Sequence, residues 1–188
     1  ATKRDGDIES VDLNGTISLI AAAAQAGVRH MIYTSAYGSA IGHPAPLFHI
    51  KATCEQALIE SGMTWTILWP GIFPEVWAGR VIGMPLQARE PVTLIGEANH
   101  RHSFISEADV ATFAAASVEH PLAQNARLEL GGPSYSWQAV VDAASAAMGQ
   151  PLPVNYLPPG TPVPLLPPMA SDVLAGWETY ETFIDVGD

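Results

Sequence analysis

The sequence predicts an α/β protein, in which helices alternate with buried strands and cover them. Along residues 11–25 the apolar side chains recur at alternating spacings of four and three, which fits one face of a helix: Leu13, Ile17, Ile20 and Ala24. The run HMIYTS at residues 30–35 is short, apolar and rich in β-branched and aromatic residues, as a buried strand is. Gly27 lies between them as a helix stop. A helix, a glycine turn and a strand together form an α/β unit.

The next elements repeat this alternation. A helical pattern returns from Phe48 to Ser61, and TWTIL at 64–68 is a second buried strand that Pro70 and Gly71 end. Further short strands are predicted at residues 92–96, 103–106 and 126–132. Two more helices are predicted to begin behind the serine caps Ser106 and Ser136; the second runs to Met148 and ends at Gly149.

The composition changes after Gln150. The stretch PLPVNYLPPGTPVPLLPP is too rich in proline for a regular helix, so we expect the strand VNYL and then an extended arm. A last amphipathic stretch, residues 169–183, is predicted to be helical. The predicted organisation is a first part at residues 1–90 and a second at 91–188, interleaved in one compact unit.

The bulk composition excludes some classes of function. The 188 residues carry a formal net charge of −11, which argues against nucleic acid or an anionic membrane surface as a partner. The single cysteine, Cys54, excludes a disulfide within the chain and favours a cytoplasmic location. No segment is long and apolar enough for a membrane span.

Four segments, in this order, resemble the NmrA-like, or atypical, short-chain dehydrogenase/reductase family: VDLNGTISLIAAAAQAGVRHMIYTSA, KATCEQALIESGMTWTILWPGIF, RHSFISEADVATFAAASVEHP and LELGGPSYSWQAVVDAASAAMGQPLPVNYLPPG. The resemblance implies a partial Rossmann-like parallel sheet flanked by helices, followed by a small α+β subdomain. It also implies NAD or NADP as cofactor and the reduction of a small carbonyl, enone or quinone-like substrate.

The glycine-rich turn by which this family holds the pyrophosphate does not occur in the sequence. We therefore expect an internal piece of a longer protein or a shortened gene product, with weak or no NAD(P) binding of its own. The strand at residues 30–35 would then have an unpaired edge. This predicts a homo-oligomer, or a partner that supplies an N-terminal half.

By the resemblance, Lys51 hydrogen-bonds the nicotinamide ribose and lowers the pKa of a neighbouring acid. Ser35 follows the first predicted strand, at the end where α/β proteins bind ligands, and could orient a carbonyl. Thr34 shares this interpretation with less weight. The alternatives are a solvated lysine in the first turn of a surface helix and a serine that caps a turn.

The family's proton donor is a tyrosine four residues before the lysine, and Leu47 occupies that position here. A catalytic protein would have to take the proton from Tyr37, His49, Lys51 or water. Tyr37 lies close to Ser35 in sequence, but a long proline-containing loop separates it from Lys51.

The segment Pro70, Gly71, Ile72 and Phe73 matches the family's Pro-Gly segment, which packs beside the nicotinamide. It is preceded by Trp69, where relatives often have arginine. The alternative is a strand-ending turn with an apolar plug.

The sequence predicts no metal site, because the pair His100 and His102 has no apparent third ligand. Two other functions stay open. One is a non-catalytic module that senses dinucleotides or binds a protein, and the other is a truncated remnant that binds no cofactor.

Overall fold

The computed structural model describes residues 7–184. The chain forms two compact units, which are described separately below: Ala1–Pro70 with Ala108–Leu130, and Gly71–Glu107 with Gly131–Asp188. The division predicted at residues 90 and 91 stays a prediction.

The strands, in chain order, are β1 His30–Thr34, β2 Thr64–Pro70, β3 Val92–Ile95, β4 Arg101–Ser103, β5 Ala126–Leu130, β6 Ser134–Ser136 and β7 Val154–Leu157. The α-helices are α1 Thr16–Gln25, α2 Pro46–Glu60, α3 Pro74–Ala78, α4 Met84–Ala88, α5 Glu107–Ser117, α6 Trp137–Met148 and α7 Pro168–Trp177. Glu9–Gly15 and Gly79–Gly83 are π-helical, and Pro121–Ala123 is a 3₁₀ turn.

The first unit is built on a parallel sheet with the strand order β1-β2-β5. Residue Ile67 of β2 is level with Tyr33 of β1 and with Arg127 of β5. Partners in register point to the same face of a sheet, so these three side chains share one face. Within the described part of the chain β1 pairs only with β2, and it therefore lies at an edge of the sheet.

The core of this unit lies between the sheet and the helices α1 and α2. Ile20 of α1, Leu58 of α2, Met63 and Ile67 of β2 are buried together. Helix α2 begins at Pro46, whose fixed φ suits the first helical position. The predicted parallel sheet flanked by helices is confirmed. The predicted first helix is also present, although its first part is π-helical.

The second unit contains two small sheets. Strands β3 and β7 pair in parallel, and β4 and β6 pair antiparallel. Helix α6 is capped as predicted: the Ser136 hydroxyl accepts from the Ala139 N–H at 3.2 Å, and Gly149 ends the helix at φ 69°.

Two predicted boundaries in the second unit are wrong. The strand expected at 103–106 is β4 at Arg101–Ser103, because Ser103 and its predecessors are the residues that pair with β6. The helix expected to reach residue 183 ends at Trp177. Thr182 instead lies extended beside β4, where its N–H donates to the Arg101 carbonyl and its carbonyl accepts from the Ser103 N–H.

His102 is enclosed in the second unit, with only 1% of its surface exposed. Its Nδ1 lies 3.0 Å from the Thr182 hydroxyl, and its Nε2 lies 3.1 Å from the Trp177 carbonyl. Burial lowers the pKa of His102 to about 4, against a hydrogen bond to the Trp177 carbonyl that raises it. The ring is therefore neutral at pH 7.

Among residues 7–184, no helix is long and apolar enough to cross a membrane.

We predict that His102 makes the protein sensitive to mild acid. In the unfolded chain the imidazole takes a proton near pH 6.5, whereas the folded protein takes it only near pH 4. The free energy of unfolding should therefore fall as the pH drops through this window, by about 2–3 kcal/mol in total. Urea unfolding at a series of pH values measures this loss.

The variant His102→Gln should lose this part of the pH dependence, and His120→Gln, at an exposed position, should keep it. An unchanged pH dependence in His102→Gln would show that His102 titrates normally in the folded protein.

Candidate functional site

The candidate site lies at the carboxyl ends of β1 and β2 in the first unit. The residues that follow β1 remain hydrogen-bonded to the backbone of β2. The Ser35 N–H donates to the Leu68 carbonyl at 2.9 Å, and the Tyr37 N–H donates to the Pro70 carbonyl at 3.0 Å. Residues 35–37 are therefore fixed at the edge of the sheet where α/β proteins bind ligands.

Lys51, in the second turn of α2, reaches this edge. Its ammonium donates to the Thr34 carbonyl at 3.0 Å and lies 5.0 Å from the centroid of the Tyr33 ring. Burial lowers the pKa of Lys51, while the nearby charges of Asp12 and Glu55 raise it. The structure thus brings the predicted residues Thr34 and Lys51 together.

The ammonium has three donors, and the Thr34 carbonyl takes one of them. The other two suit the hydroxyl oxygens of a ribose. This donor chemistry fits the NAD or NADP that the sequence predicts.

Tyr33, which precedes this edge, is unsuited to proton transfer. Burial raises the pKa of its phenol far above the ordinary value, and the neighbouring Cys54 adds to the rise. The Cys54 thiol is itself fully buried and donates to the Asp12 carbonyl at 3.3 Å.

Glu55 is the part of the site that the sequence reasoning missed. The residue is buried, with 2% of its surface exposed. Oε1 accepts from the Ser35 hydroxyl and, at 2.6 Å, from the indole N–H of Trp69. Oε2 lies 2.7 Å from the guanidinium of Arg127 on β5. A spacing of four from Lys51 places Glu55 on the same face of α2, and that spacing could have pointed to it.

Arg127 and Trp69 also contact each other. The guanidinium carbon lies 4.4 Å from the centroid of the indole ring, and 41% of the Arg127 side chain is exposed. Arg127 of β5 thus supplies a cation beside Trp69. The salt bridge leaves the buried carboxylate with a charged partner, without which its burial would be costly.

Tyr37 packs against the same tryptophan. The two rings meet edge to face, with centroids 5.8 Å apart and an interplanar angle of 75°. Ser35, Tyr37 and Trp69 are therefore brought together around Glu55.

The segment Pro70–Phe73, which the sequence predicts to pack beside the nicotinamide, is divided between the two units. Pro70 ends β2 in the first unit, and Gly71, Ile72 and Phe73 begin the second. Within the second unit the Ile72 N–H donates to the Ser103 carbonyl at 2.9 Å. A contact of these residues with a cofactor stays a prediction.

Leu47 and the candidate His49 lie in α2, and His49 and its neighbour His43 each have a partner nearby. Leu47 is half-buried one turn before Lys51 in α2 and offers no proton. Nδ1 of His49 accepts from the Gly42 N–H at 2.9 Å, and His43 stacks on Phe48. The described residues contain no group of three or more side chains suited to holding a metal ion.

The fold and the site define an α/β protein with a candidate ligand site at the carboxyl ends of two parallel strands. A family model described as NAD(P)H-binding matches residues 1–121. The chain belongs to this NAD(P)H-binding family. The resemblance to NmrA-like NAD(P)-binding proteins, with NAD or NADP as the family's cofactor, is thereby confirmed.

The chain is 30% identical over 139 residues to an NAD(P)H azoreductase of Xenophilus azovorans, a match that covers 72% of this chain and 46% of the azoreductase. It is 24% identical over 135 residues to phenylcoumaran benzylic ether reductase PT1 of Pinus taeda, covering 68% of this chain and 44% of the reductase. The chain thus spans about half the length of the curated relatives it matches.

Among solved structures, the chain is similar to an NADPH-dependent quinone oxidoreductase of Escherichia coli complexed with NADPH. The TM-score is 0.75 at 20% identity, and the match covers 98% of this chain and 66% of the oxidoreductase. A UDP-glucuronic acid 4-epimerase of Bacillus cereus in complex with NAD gives a TM-score of 0.66 at 16% identity, covering 80% of this chain and 57% of the epimerase. These matches support the Rossmann-like fold.

We predict that Gly71 tolerates no side chain. A Cβ at this position would collide with the carbonyl oxygen of Ser103, a backbone atom that cannot move aside cheaply. The variant Gly71→Ala should lower the free energy of unfolding by about 2–3 kcal/mol, measured by urea denaturation.

The matched control is Gly79→Ala, because a Cβ there meets no atom within 4 Å. It lies in a helical stretch, so the substitution should be neutral or stabilising by up to ~1 kcal/mol. Equal stabilities of the two variants would contradict the close approach of Gly71 to Ser103.

Proposed function

We propose that this chain carries the nicotinamide- and substrate-facing part of an NAD(P)H-dependent oxidoreductase. The substrate class is a small carbonyl, enone or quinone-like molecule. The observation that carries the proposal is Lys51, whose ammonium is held at the carboxyl end of β1 and, within residues 7–184, uses one of its three donors, on the Thr34 carbonyl. Family membership and relatives that are named as reductases support it.

In this proposal the bound nicotinamide supplies a hydride. Lys51 donates to the ribose hydroxyls and so orients the cofactor. Ser35 and Tyr37 lie on the same sheet edge, where they face the substrate. Tyr37 is the proton donor in place of the absent tyrosine at residue 47.

The cofactor preference between NAD and NADP stays open. The sequence contains no glycine-rich phosphate turn, so the proposed affinity of the chain alone is weak, with a Kd of about 0.1 mM or higher.

We further propose a homo-oligomer or a partner that adds an N-terminal half, which the edge position of β1 supports. A cytoplasmic location, supported by the single cysteine, belongs to the same proposal.

The experiment is calorimetric titration of the chain with NADPH and NADH, followed by quinone reduction assays at saturating cofactor. We expect measurable binding and slow turnover. Lys51→Met should weaken cofactor binding about tenfold, since it removes the ribose donor.

The control is Arg29→Met, which removes the same charge at the opposite end of β1 in an exposed side chain. It should bind the cofactor as the original chain does. Equal binding by Lys51→Met and Arg29→Met would contradict the assigned role of Lys51. Binding without turnover of any quinone, enone or carbonyl would favour a dinucleotide-sensing module.

A further inference from the structure

We propose that Glu55 is a positioning residue for Tyr37, and that it makes Tyr37 rather than Ser35 the group that donates a proton to the substrate. The inference rests on the proposed function and assigns roles within the same site.

One carboxylate oxygen of Glu55 accepts hydrogen bonds from two residues that position Tyr37, namely Ser35 and Trp69. Oε1 accepts from the hydroxyl of Ser35, which begins the turn that carries Tyr37. The same oxygen accepts at 2.6 Å from the indole N–H of Trp69, against whose ring Tyr37 packs. A change at Glu55 would therefore disturb both the start of the turn that carries Tyr37 and the indole against which its ring packs.

A backbone hydrogen bond also restricts the position of Tyr37. Its N–H donates to the Pro70 carbonyl at 3.0 Å, so the residue stays at the carboxyl ends of β1 and β2. The residue is half-buried, and its hydroxyl makes no hydrogen bond to another residue within 7–184. The phenol can therefore meet a ligand at this edge.

The hydrogen bond to the Glu55 carboxylate determines the orientation of the Ser35 hydroxyl. Arg127 lies 2.7 Å from Oε2 and forms a salt bridge with this carboxylate. An ionised carboxylate only accepts hydrogen bonds, and a serine hydroxyl has one proton. That proton is directed to Glu55, so Ser35 offers lone pairs and not a proton to a ligand. Ser35 suits an N–H or O–H of the ligand, and a substrate carbonyl needs a different donor.

Tyr37 fills that need. As the carbonyl carbon of the substrate receives hydride from NAD(P)H, the carbonyl electron pair moves to the oxygen, which takes the phenol proton of Tyr37. Water returns a proton to the tyrosinate. The substrate is reduced by two electrons, and NAD(P)H is oxidised to NAD(P)⁺.

The first test needs no cofactor. The ring resonances of tyrosine, labelled with ¹³C, are recorded by NMR, and Tyr37 is assigned among the five tyrosines by its loss in Tyr37→Phe. We expect Glu55→Gln and Trp69→Phe each to shift the Tyr37 resonance. Glu60→Gln should leave it in place, because Glu60 is exposed on the same helix and its carboxylate accepts from Gln56 at 2.9 Å.

The second test is steady-state quinone reduction. Tyr37→Phe should lower kcat about 100-fold, as the loss of a general acid does. Glu55→Gln should lower kcat about tenfold and leave KM for NAD(P)H unchanged. The double variant should be no slower than Tyr37→Phe alone, because Glu55 acts only through the phenol.

The outcomes separate this inference from the proposed function. An unshifted Tyr37 resonance in Glu55→Gln overturns the positioning role, whatever the activity. A double variant that is tenfold slower than Tyr37→Phe overturns it as well, since Glu55 would then act independently. A chain that turns over no substrate overturns the proposed function and with it the proton transfer, while the NMR shifts still decide the positioning of Tyr37.

Discussion

The buried carboxylate of Glu55 is the interaction on which the architecture of the first unit depends. A charge inside a protein is tolerated only where hydrogen bonds and an opposite charge replace water. Glu55 receives these from three strands: Ser35 directly after β1, Trp69 near the end of β2 and Arg127 near the start of β5. One side chain of α2 therefore bonds the helix to β2, to β5 and to the residue that follows β1.

The same helix carries the other charge of the site. Lys51 lies one turn before Glu55, and it contacts the Thr34 carbonyl while Glu55 contacts the next residue of the chain. An ammonium and a carboxylate on one helix face thus meet adjacent residues at the end of β1. This gives the edge a cationic donor for hydroxyl groups, and the rings of Tyr37 and Trp69 pack together at the same edge.

Elements whose cause is local could be predicted from the sequence. The periodicity of Leu13 to Ala24, the strand around Ile32 and the cap at Ser136 each follow from neighbouring residues. Contacts that depend on sheet register could not. Glu55 and Arg127 are 72 residues apart, and only the level pairing of Ile67 with Arg127 brings the guanidinium to the helix. The end of α7 could not be predicted for the same reason, because Thr182 bonds to Arg101 of β4, which is far away in the sequence.

The measurement that tests the central claim most directly is an NMR titration of the ¹⁵N-labelled chain with NADPH. The claim is that the carboxyl edge of the first unit's sheet faces the nicotinamide. We predict shifts at the amides of Ser35 and Tyr37 and at the indole N–H of Trp69. Shifts confined to the residues of β3 and β7 in the second unit, with none at these three groups, would contradict it.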